Sequence, residues 1–486
     1  MSVLSVPLNR AVEHQAAFER PHTPVRAPLP VENATRSFWL HSAPDANPLA
    51  REGSTGPLTS DADICIIGSG ITGISAAYNL AQAVRADPAL GPLSVVVLEA
   101  RDFCSGATGR NGGHLAPVSF FGFRNRVAKY GVESAKRTVA LEEHTATSVT
   151  KIVTDAGLED AIDFVDGGRT NLFLTEEEEK GAKADFEAAK NAGVDLSSIE
   201  WLEKDEVQKR YGANYSAVRV PAHNVWPLKL VTQLFTLAQH ATPAFSLHLH
   251  THTPATAIAP ATSPGRRWTV STPRGGVSCS TVLHATNGYA SHLLPSLAGP
   301  RGIVPTRGQI VAVRAEAPAQ AITTSGWTAN DHFEYWFPRP LAPGAEDQRP
   351  LVILGGGREA KDAFEFGEAD DSVLDKIAGR ALRGFLPAVF PGKYEIGREP
   401  EMEWTGIMGF TSNGDPFVGP VVEEGKPVAG QFIAAGYTGH GMPRAFACAE
   451  AAASMITAEL AGKEWSPPDW LPRHYITTST NGAQQA

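Results

Sequence analysis

Gly68, Gly70 and Gly73 stand at the spacing GxGxxG directly after the apolar run Ile64, Cys65, Ile66 and Ile67. Each glycine has its own task in such a turn. Gly68 lets the chain reverse tightly, Gly70 brings the backbone up to a pyrophosphate with no Cβ in the way, and Gly73 lets the next helix pack closely on the strand. The phosphates would rest beside Ile71 and Thr72, at a helix N-terminus whose unpaired N–H groups and dipole favour negative charge. A second strand, residues 94–98, ends in Glu99, followed by Ala100 and Arg101. Glu99 is placed to accept hydrogen bonds from an adenosine ribose, and an acid there disfavours a 2′-phosphate. A lone glycine motif also fits close packing in an ordinary α/β turn. The strand before it, the helix after it and the acid at the next strand end together favour a dinucleotide site.

Other stretches have chemistry to offer the same site. Residues 105–115, SGATGRNGGHL, set Ala107, Thr108, Arg110, Asn111, Gly112, Gly113 and His114 in a glycine-rich loop, and the planar fork of Arg110 suits phosphate oxygens, the alternative being a plain surface arginine. Asn287 and Gly288 close a later strand in ATNGY. Gly439, His440, Gly441 and Met442 precede an alanine-rich helix, with Pro443 suited to its first turn. His248, His250 and His252 alternate in HLHTH, but no acid or cysteine accompanies them, so the period of two reads as one partly exposed strand face and no metal is assigned.

With 486 residues the chain can bury a large core, and its length fits two or three intertwined domains. Its net charge is −10, without any long block of one sign, which gives no nucleic-acid surface. The acidic run 176–179 reads as the first turn of a helix capped by Thr175. The 4 cysteines are widely spaced, which indicates neither a zinc site nor a disulfide framework. No apolar stretch is long enough to span a membrane, the N-terminus lacks a secretory pattern, and the ending NGAQQA is no peroxisomal address, so a cytoplasmic protein is the expectation.

Residues 1–60 read as an extended arm, disordered at its start, with the SFWL patch at 37–40 docked on the body. Helical periodicity runs from about 123 to 156, and helices are expected at 176–192 and 204–211. Strands are expected at 253–260, 266–272 and 279–289, then in GQIVAVRA, HFEYWFPR and PLVILGGG. The composition pattern gives an α/β chain with an α+β insert: a first domain from 61–160, 220–300 and 400–465, a second from 161–219 and 301–399, and a tail at 466–486.

The segments IIGSGITG, SGATGRNGGHL, VLHATNGY, WTGIMGFTSNGDPFVGP and AAGYTGHGM, in that order across most of residues 61–462, resemble the FAD-dependent oxidoreductases of the D-amino-acid oxidase superfamily. The GATGRNGGH block, the GFTSNGDPFVG segment and the SFWL arm are most similar to its γ-glutamylputrescine oxidoreductase-like branch and fungal relatives. The resemblance implies a glutathione-reductase-type, Rossmann-like FAD-binding domain interleaved with a substrate domain on a large mixed antiparallel sheet. It also implies oxidation of the C–N bond of a small amine or amino acid, with hydride passing to flavin N5 and O2 as acceptor giving H2O2. A glycine turn serves NAD and FAD alike, but a helix N-terminus returning beside the cofactor at Gly439–Met442 suits a flavin, whose N1 and C2=O gather negative charge on reduction. Arg110 would then meet pyrophosphate or flavin oxygens, and Asn287 would lie near the phosphates or ribityl chain. His114 lacks the Trp-His context of covalent relatives, so noncovalent FAD is expected.

On the substrate side the candidates are His440, which could tune the amine or the flavin, and Tyr335 with Trp336 as an aromatic wall for an amine. Arg307 and Gln309 could meet a carboxylate. Trp404 and Asp415 would belong to a segment closing over the cofactor, Asp415 only as a turn residue. A polyamine derivative, an N-methylated amino acid, a cyclic imino acid and an ordinary amino acid all remain open, as do an amine dehydrogenase with another acceptor, a flavoprotein with a trafficking or interaction role, and the oligomeric state.

Overall fold

The apolar run before the glycine turn lies in the strand Asp61–Ile67, where Ile64, Cys65 and Ile66 are wholly buried because strands flank it on both sides. The computed structural model describes residues 4–20, 24–342, 344–345 and 348–478. Asp61–Ile67 belongs to an 8-stranded sheet whose path runs Phe417–Glu423, Lys426–Ala435, Gly275–His284, Asp61–Ile67, Leu93–Leu98, Phe245–His250. The pairings from Lys426–Ala435 to Phe245–His250 are parallel, and Trp268–Thr272 and Ala257–Pro260, within two of the expected strand stretches, extend the sheet antiparallel. Alternation divides the side chains between two cores. Ile64, Ile66, Val95 and Val97 pack under the helices Ile71–Ala86, Pro227–Gln239 and Met442–Leu460, while Cys65, Ile67, Val96 and Leu98 pack with Val270 and Val277.

A second 8-stranded sheet runs Met402–Phe410, Val304–Arg314, Leu351–Gly356, Glu334–Pro338, Gly326–Ala329, Arg169–Phe173, Ser216–Val220, Glu200–Leu202. It is antiparallel apart from the pairing of Gly326–Ala329 with Arg169–Phe173. Met402–Phe410, grouped by sequence with the first domain at 400–465, in fact pairs with Val304–Arg314 from Val304↔Phe410 to Ala312↔Met402. That strand is therefore an edge of the second sheet.

Other elements also depart from their sequence expectations. The helix expected at 123–156 is two helices, Phe123–Tyr130 and Val132–Asp155, because Gly131 at φ +81° breaks the ladder. The N-terminal arm is not merely extended: Ala11–Phe18 is helical and buries Ala17 and Phe18, and Trp39 is fully buried in the short helix Phe38–His41. The histidine row does not form, since the strand ends at His250. That residue is buried on Gly53 O and Thr59, while His252 pairs with Asp102 at 2.7 Å. In the C-terminal tail His474 and Tyr475 are buried and Ile476 bridges to Val418, whereas NGAQQA lies outside the described residues. Thr175 caps its acidic helix as expected, accepting from Glu178 N–H. Among the described residues the cysteines are buried free thiols, no group of side chains could hold a metal ion, and no helix is long and apolar enough to cross a membrane.

One buried acid gives the fold a pH dependence. Glu334 accepts from Gly357 N–H and Asn330 Nδ2 and lies beside Glu359, whose carboxyl oxygens are buried without partners. Burial first, then Glu359, raises the Glu334 carboxyl well above the usual carboxylate range. A carboxyl raised on folding stabilises fully below its unfolded value, and that contribution is lost as pH climbs toward the folded one. Glu334→Gln should therefore match or exceed the parent in thermal melts at pH 8–9 and lose that advantage near pH 5. A constant difference across the range would refute the protonated Glu334.

Candidate active site

A cavity of about 490 Å³ opens where the carboxyl ends of the first sheet's strands, at Ile67, Leu98 and Ala285, meet Gly308, Ile310, Thr328 and Tyr335 of the second. Its size is that of an ordinary small-molecule site. At one end lies the glycine turn. Gly68 has φ +110°, and a Cβ there would come within 2.6 Å of Ala285 O. A Cβ on Gly73 would meet Gly68 O at 2.0 Å, so this glycine packs helix on strand and does not face the cavity. Gly70, Ile71 and Thr72 line the cavity, with Ile71 N–H donating to Thr108 Oγ1 at 3.1 Å. Glu99 accepts from Ser69 N–H and Oγ at 3.0 and 2.8 Å and from Arg101 N–H at 3.0 Å. A carboxylate has about four lone-pair sites, so capacity remains for a ribose hydroxyl.

At the other end the helix Met442–Leu460 points its N-terminus at the cavity, preceded by Thr438 and Gly439 at positive φ. His440 lines the wall, about a third exposed (32%), and its Nε2 lies 2.9 Å from Glu142 Oε2. Glu142, fully buried on the helix Val132–Asp155, also accepts from Arg444 Nε and Val118 N–H. Burial opposes its charge, but His440 and Arg444 outweigh it and hold the carboxyl well below its usual range. For His440 burial wins over the pull of Glu142, so its imidazole titrates below the ordinary value. Tyr335 lies against Gly112 and edge-on to His114, and burial pushes its hydroxyl up to about 12.

A family model for FAD-dependent oxidoreductases, the DAO family, matches residues 63–455, which include both ends of this cavity apart from its rim at Leu29 and Pro30. The chain belongs to that family. Among curated relatives, a "Probable oxidoreductase OrdL" of Rhizobium meliloti (strain 1021) is 26% identical over 88% of this chain and 89% of its own length. The gamma-glutamylputrescine oxidoreductase of Escherichia coli (strain K12) is 23% identical over 82% and 84%. Among solved structures, L-proline dehydrogenase from P. horikoshii aligns with a TM-score of 0.63 at 20% identity, over 87% of this chain and 98% of its own. Glycine oxidase from Geobacillus kaustophilus gives 0.61 at 21%, over 84% and 97%. The fold is theirs.

The residues of this FAD-dependent oxidoreductase fit its cofactor. The turn leaves Gly70 bare toward the cavity, and a second helix N-terminus with Gly439 and Gly441 stands at the far end, so a phosphate cradle and an electron-rich ring edge each find a positive helix end. Ala100, Arg101, Ala107, Thr108, Arg110, Asn111, Gly112, His114, Asn287, Gly441 and Met442 also line the cavity. Gly113 and Gly288 do not; a Cβ on either would strike the backbone at Val225 O or Met408 O.

Several side chains face elsewhere than the sequence suggests. Arg110 lines the cavity, but its Nε and Nη1 are taken up by Ser105 O, Thr35 O and Thr405 O, with Asp371 3.4 Å from Nε. Trp336 is buried on the opposite sheet face, stacked on Trp327, so it forms no wall with Tyr335. Arg307 pairs with Glu365, and Gln309 binds Glu403 and Asp375; it is Gly308 and Ile310 that face the cavity. Trp404 donates to Arg110 O from beneath the loop, and Asp415 accepts from Tyr130 away from the cavity.

Sequence reading missed Arg169. It lies on Arg169–Phe173, lines the cavity, and its Nε and Nη2 are buried without hydrogen-bond partners. Burial lowers its guanidinium to about 10. His332 lies close by, lowered to about 3 chiefly by burial and then by Arg169. The available signal was a cation inside an otherwise strand-like GGRTNLFL. Glu142 could have been noticed as an acid at helical spacing with the buried Thr138, Thr145 and Val149.

Proposed function

We propose that this enzyme oxidises the C–N bond of a small amine that also carries a carboxylate, either an amino acid or a carboxylated amine. Arg169 carries the reading. A buried guanidinium with unpartnered nitrogens on the cavity wall calls for a fixed anion, and its planar fork matches a carboxylate through paired bonds. Two structural relatives are named for oxidising glycine and L-proline, which belong to that class.

FAD, held by the turn at Gly70 and the segment Gly439–Met442, would supply the hydride acceptor at flavin N5, with O2 as the electron sink giving H2O2. Arg169 anchors the substrate's carboxylate, and the Tyr335 ring forms the wall on which the rest of the molecule lies. His440 donates Nε2–H to Glu142 and so keeps Nδ1 free to take the proton of the substrate ammonium. Apolar walls at Ile310, Ala116 and Met408 favour the uncharged amine and exclude water. Both His114 nitrogens lie near backbone carbonyls, of Gly112 and Trp336, which supports noncovalent FAD. The parallel sheet with its antiparallel extension supports a glutathione-reductase-type arrangement, and buried free thiols suit the cytoplasm.

Anaerobic mixing of the yellow protein with amino acids, N-methylated and cyclic imino acids, and amines lacking a carboxylate tests this reading. Bleaching by carboxylated amines alone is expected, with peroxide formed in air. Bleaching only by carboxylate-free amines would overturn it, reduction without peroxide would indicate another acceptor, and no bleaching at all would favour a binding or trafficking role.

His440→Asn should retain FAD yet slow flavin reduction about a hundredfold. A base must be neutral to accept a proton. The parent's rate should therefore fall at acid pH, with a limb below His440's ordinary value of about 6.5, and the variant should lack that limb. Stopped-flow reduction from pH 5 to 9 reads both, and an unaltered limb in the variant would remove His440 from this role.

A further inference from the structure

Residues 24–41 lie before the family segment, which begins at 63, and they cross the cavity from one lip to the other. On one lip Ala27 N–H donates to Ser291 Oγ at 2.9 Å, Ala27 O lies 3.1 Å from His292 Nδ1, and Arg26 Nε donates to His292 O. On the other lip Val31 O accepts from Arg101 Nη1 at 3.1 Å. Thr35 N–H donates to Asp371 O at 2.8 Å, and Thr35 O accepts from Arg110 Nη1 at 2.8 Å. Beyond that point the strap is locked down by Ser37 Oγ on Gly109 O and by Trp39, fully buried with Nε1 on Asn111 O.

Between the lips Leu29 and Pro30 enter the cavity wall. Their position fixes which part of the cofactor they meet. Val31, the next residue, is tied to Arg101, which follows the ribose-directed Glu99 by two positions, and Ala27 is tied to the segment carrying the wall residues His292 and Leu293. This is the end of the cavity beyond Glu99, away from Tyr335 and His440, where a dinucleotide bound on the glycine turn lays its adenosine.

We propose that residues 26–31 form a strap that roofs the adenosine half of FAD, with Leu29 and Pro30 as an added apolar contact for the purine, so that FAD exchanges only when the strap lifts from Ser291 and Arg101. The Arg101 guanidinium holds the strap at Val31 O and binds Asp371 bidentately (2.8 and 3.0 Å), while Arg110 holds Thr35 O just beyond the strap. The inference rests on FAD being the cofactor, which colour in the parent protein establishes separately.

The test uses the holoenzyme and reads flavin release, not turnover. One variant, Leu29→Ser with Pro30→Gly, strips the purine contact. A second, Ala27→Pro, removes the N–H that holds the Ser291 lip and leaves the cavity wall intact. FAD release is followed by its fluorescence after dilution, and FMN, which lacks adenosine, serves as the comparison ligand on stripped protein. Both variants should release FAD about tenfold faster or more while FMN affinity stays within twofold of the parent. Unchanged FAD release in folded variants would overturn the strap, and so would an equal loss for FMN, since that would mark a general loosening. If the double variant does not fold, Ala27→Pro and Leu29→Ser alone decide the outcome by the same two readings.

Discussion

Arg169→Leu should fold, turn yellow and lose at least about a hundredfold in kcat/KM for carboxylated amines. Removing a charge-assisted pair inside a dry site costs on the order of 3 kcal/mol of transition-state binding, which is about two decades of rate. The same change should leave thermal stability equal or improved, because leucine replaces a buried cation whose Nε and Nη2 lack hydrogen-bond partners among the described residues and can still pack on the Phe121 ring that the guanidinium lies over. These opposite directions separate a binding role from a structural one. A structural arginine would lower both the melting temperature and the activity. Retained kcat/KM for an amino acid in a well-folded variant would dismiss Arg169 as the carboxylate anchor.

Gly70→Val should give a folded but colourless protein. A Cβ at Gly70 meets only the Thr108 side chain, with Oγ1 at 3.1 Å, and the backbone sits at an ordinary φ of −71°, so the fold accepts valine once Thr108 gives by a few tenths of an ångström. Its methyls, however, occupy the space in which a phosphate must touch the backbone. The contrast with Gly73 is sharp, because a Cβ there would strike Gly68 O at 2.0 Å and disturb the helix itself. Absorbance of the purified protein and circular dichroism measured together decide the matter. A yellow Gly70→Val protein would mean that phosphate does not approach this turn.

The first sheet and its glycine turn were legible because their signals are local. The strand, GxGxxG and the closing acid lie within residues 61–99, and no distant partner is needed to interpret them. Side-chain direction on the second sheet was not. A period of two divides Tyr335 from Trp336 and Arg307 from Gly308, yet the sequence carries no label saying which face meets the cofactor. The contacts of Arg110 were hidden for a different reason: its carboxylate partner, Asp371, is remote in the chain. Arg169 went unnoticed since a lone cation in a strand normally reaches solvent, and only its burial with Nε and Nη2 unbonded gives it meaning. The N-terminal arm looked loose because its proline-rich composition hides anchors that are supplied by other segments, at Ser291, Arg101 and Gly109.

When the strand Asp61–Ile67 leaves the ribosome, its neighbour Gly275–His284 is still more than two hundred residues away, and that strand's own partner, Lys426–Ala435, comes later still. The helix behind Gly441 follows that strand. A nascent chain therefore holds an unfinished, sticky sheet until Lys426–Ala435 is made and cannot retain flavin until the helix Met442–Leu460 has followed. Translation stalled before residue 430 should leave a chaperone client rather than a half-working enzyme.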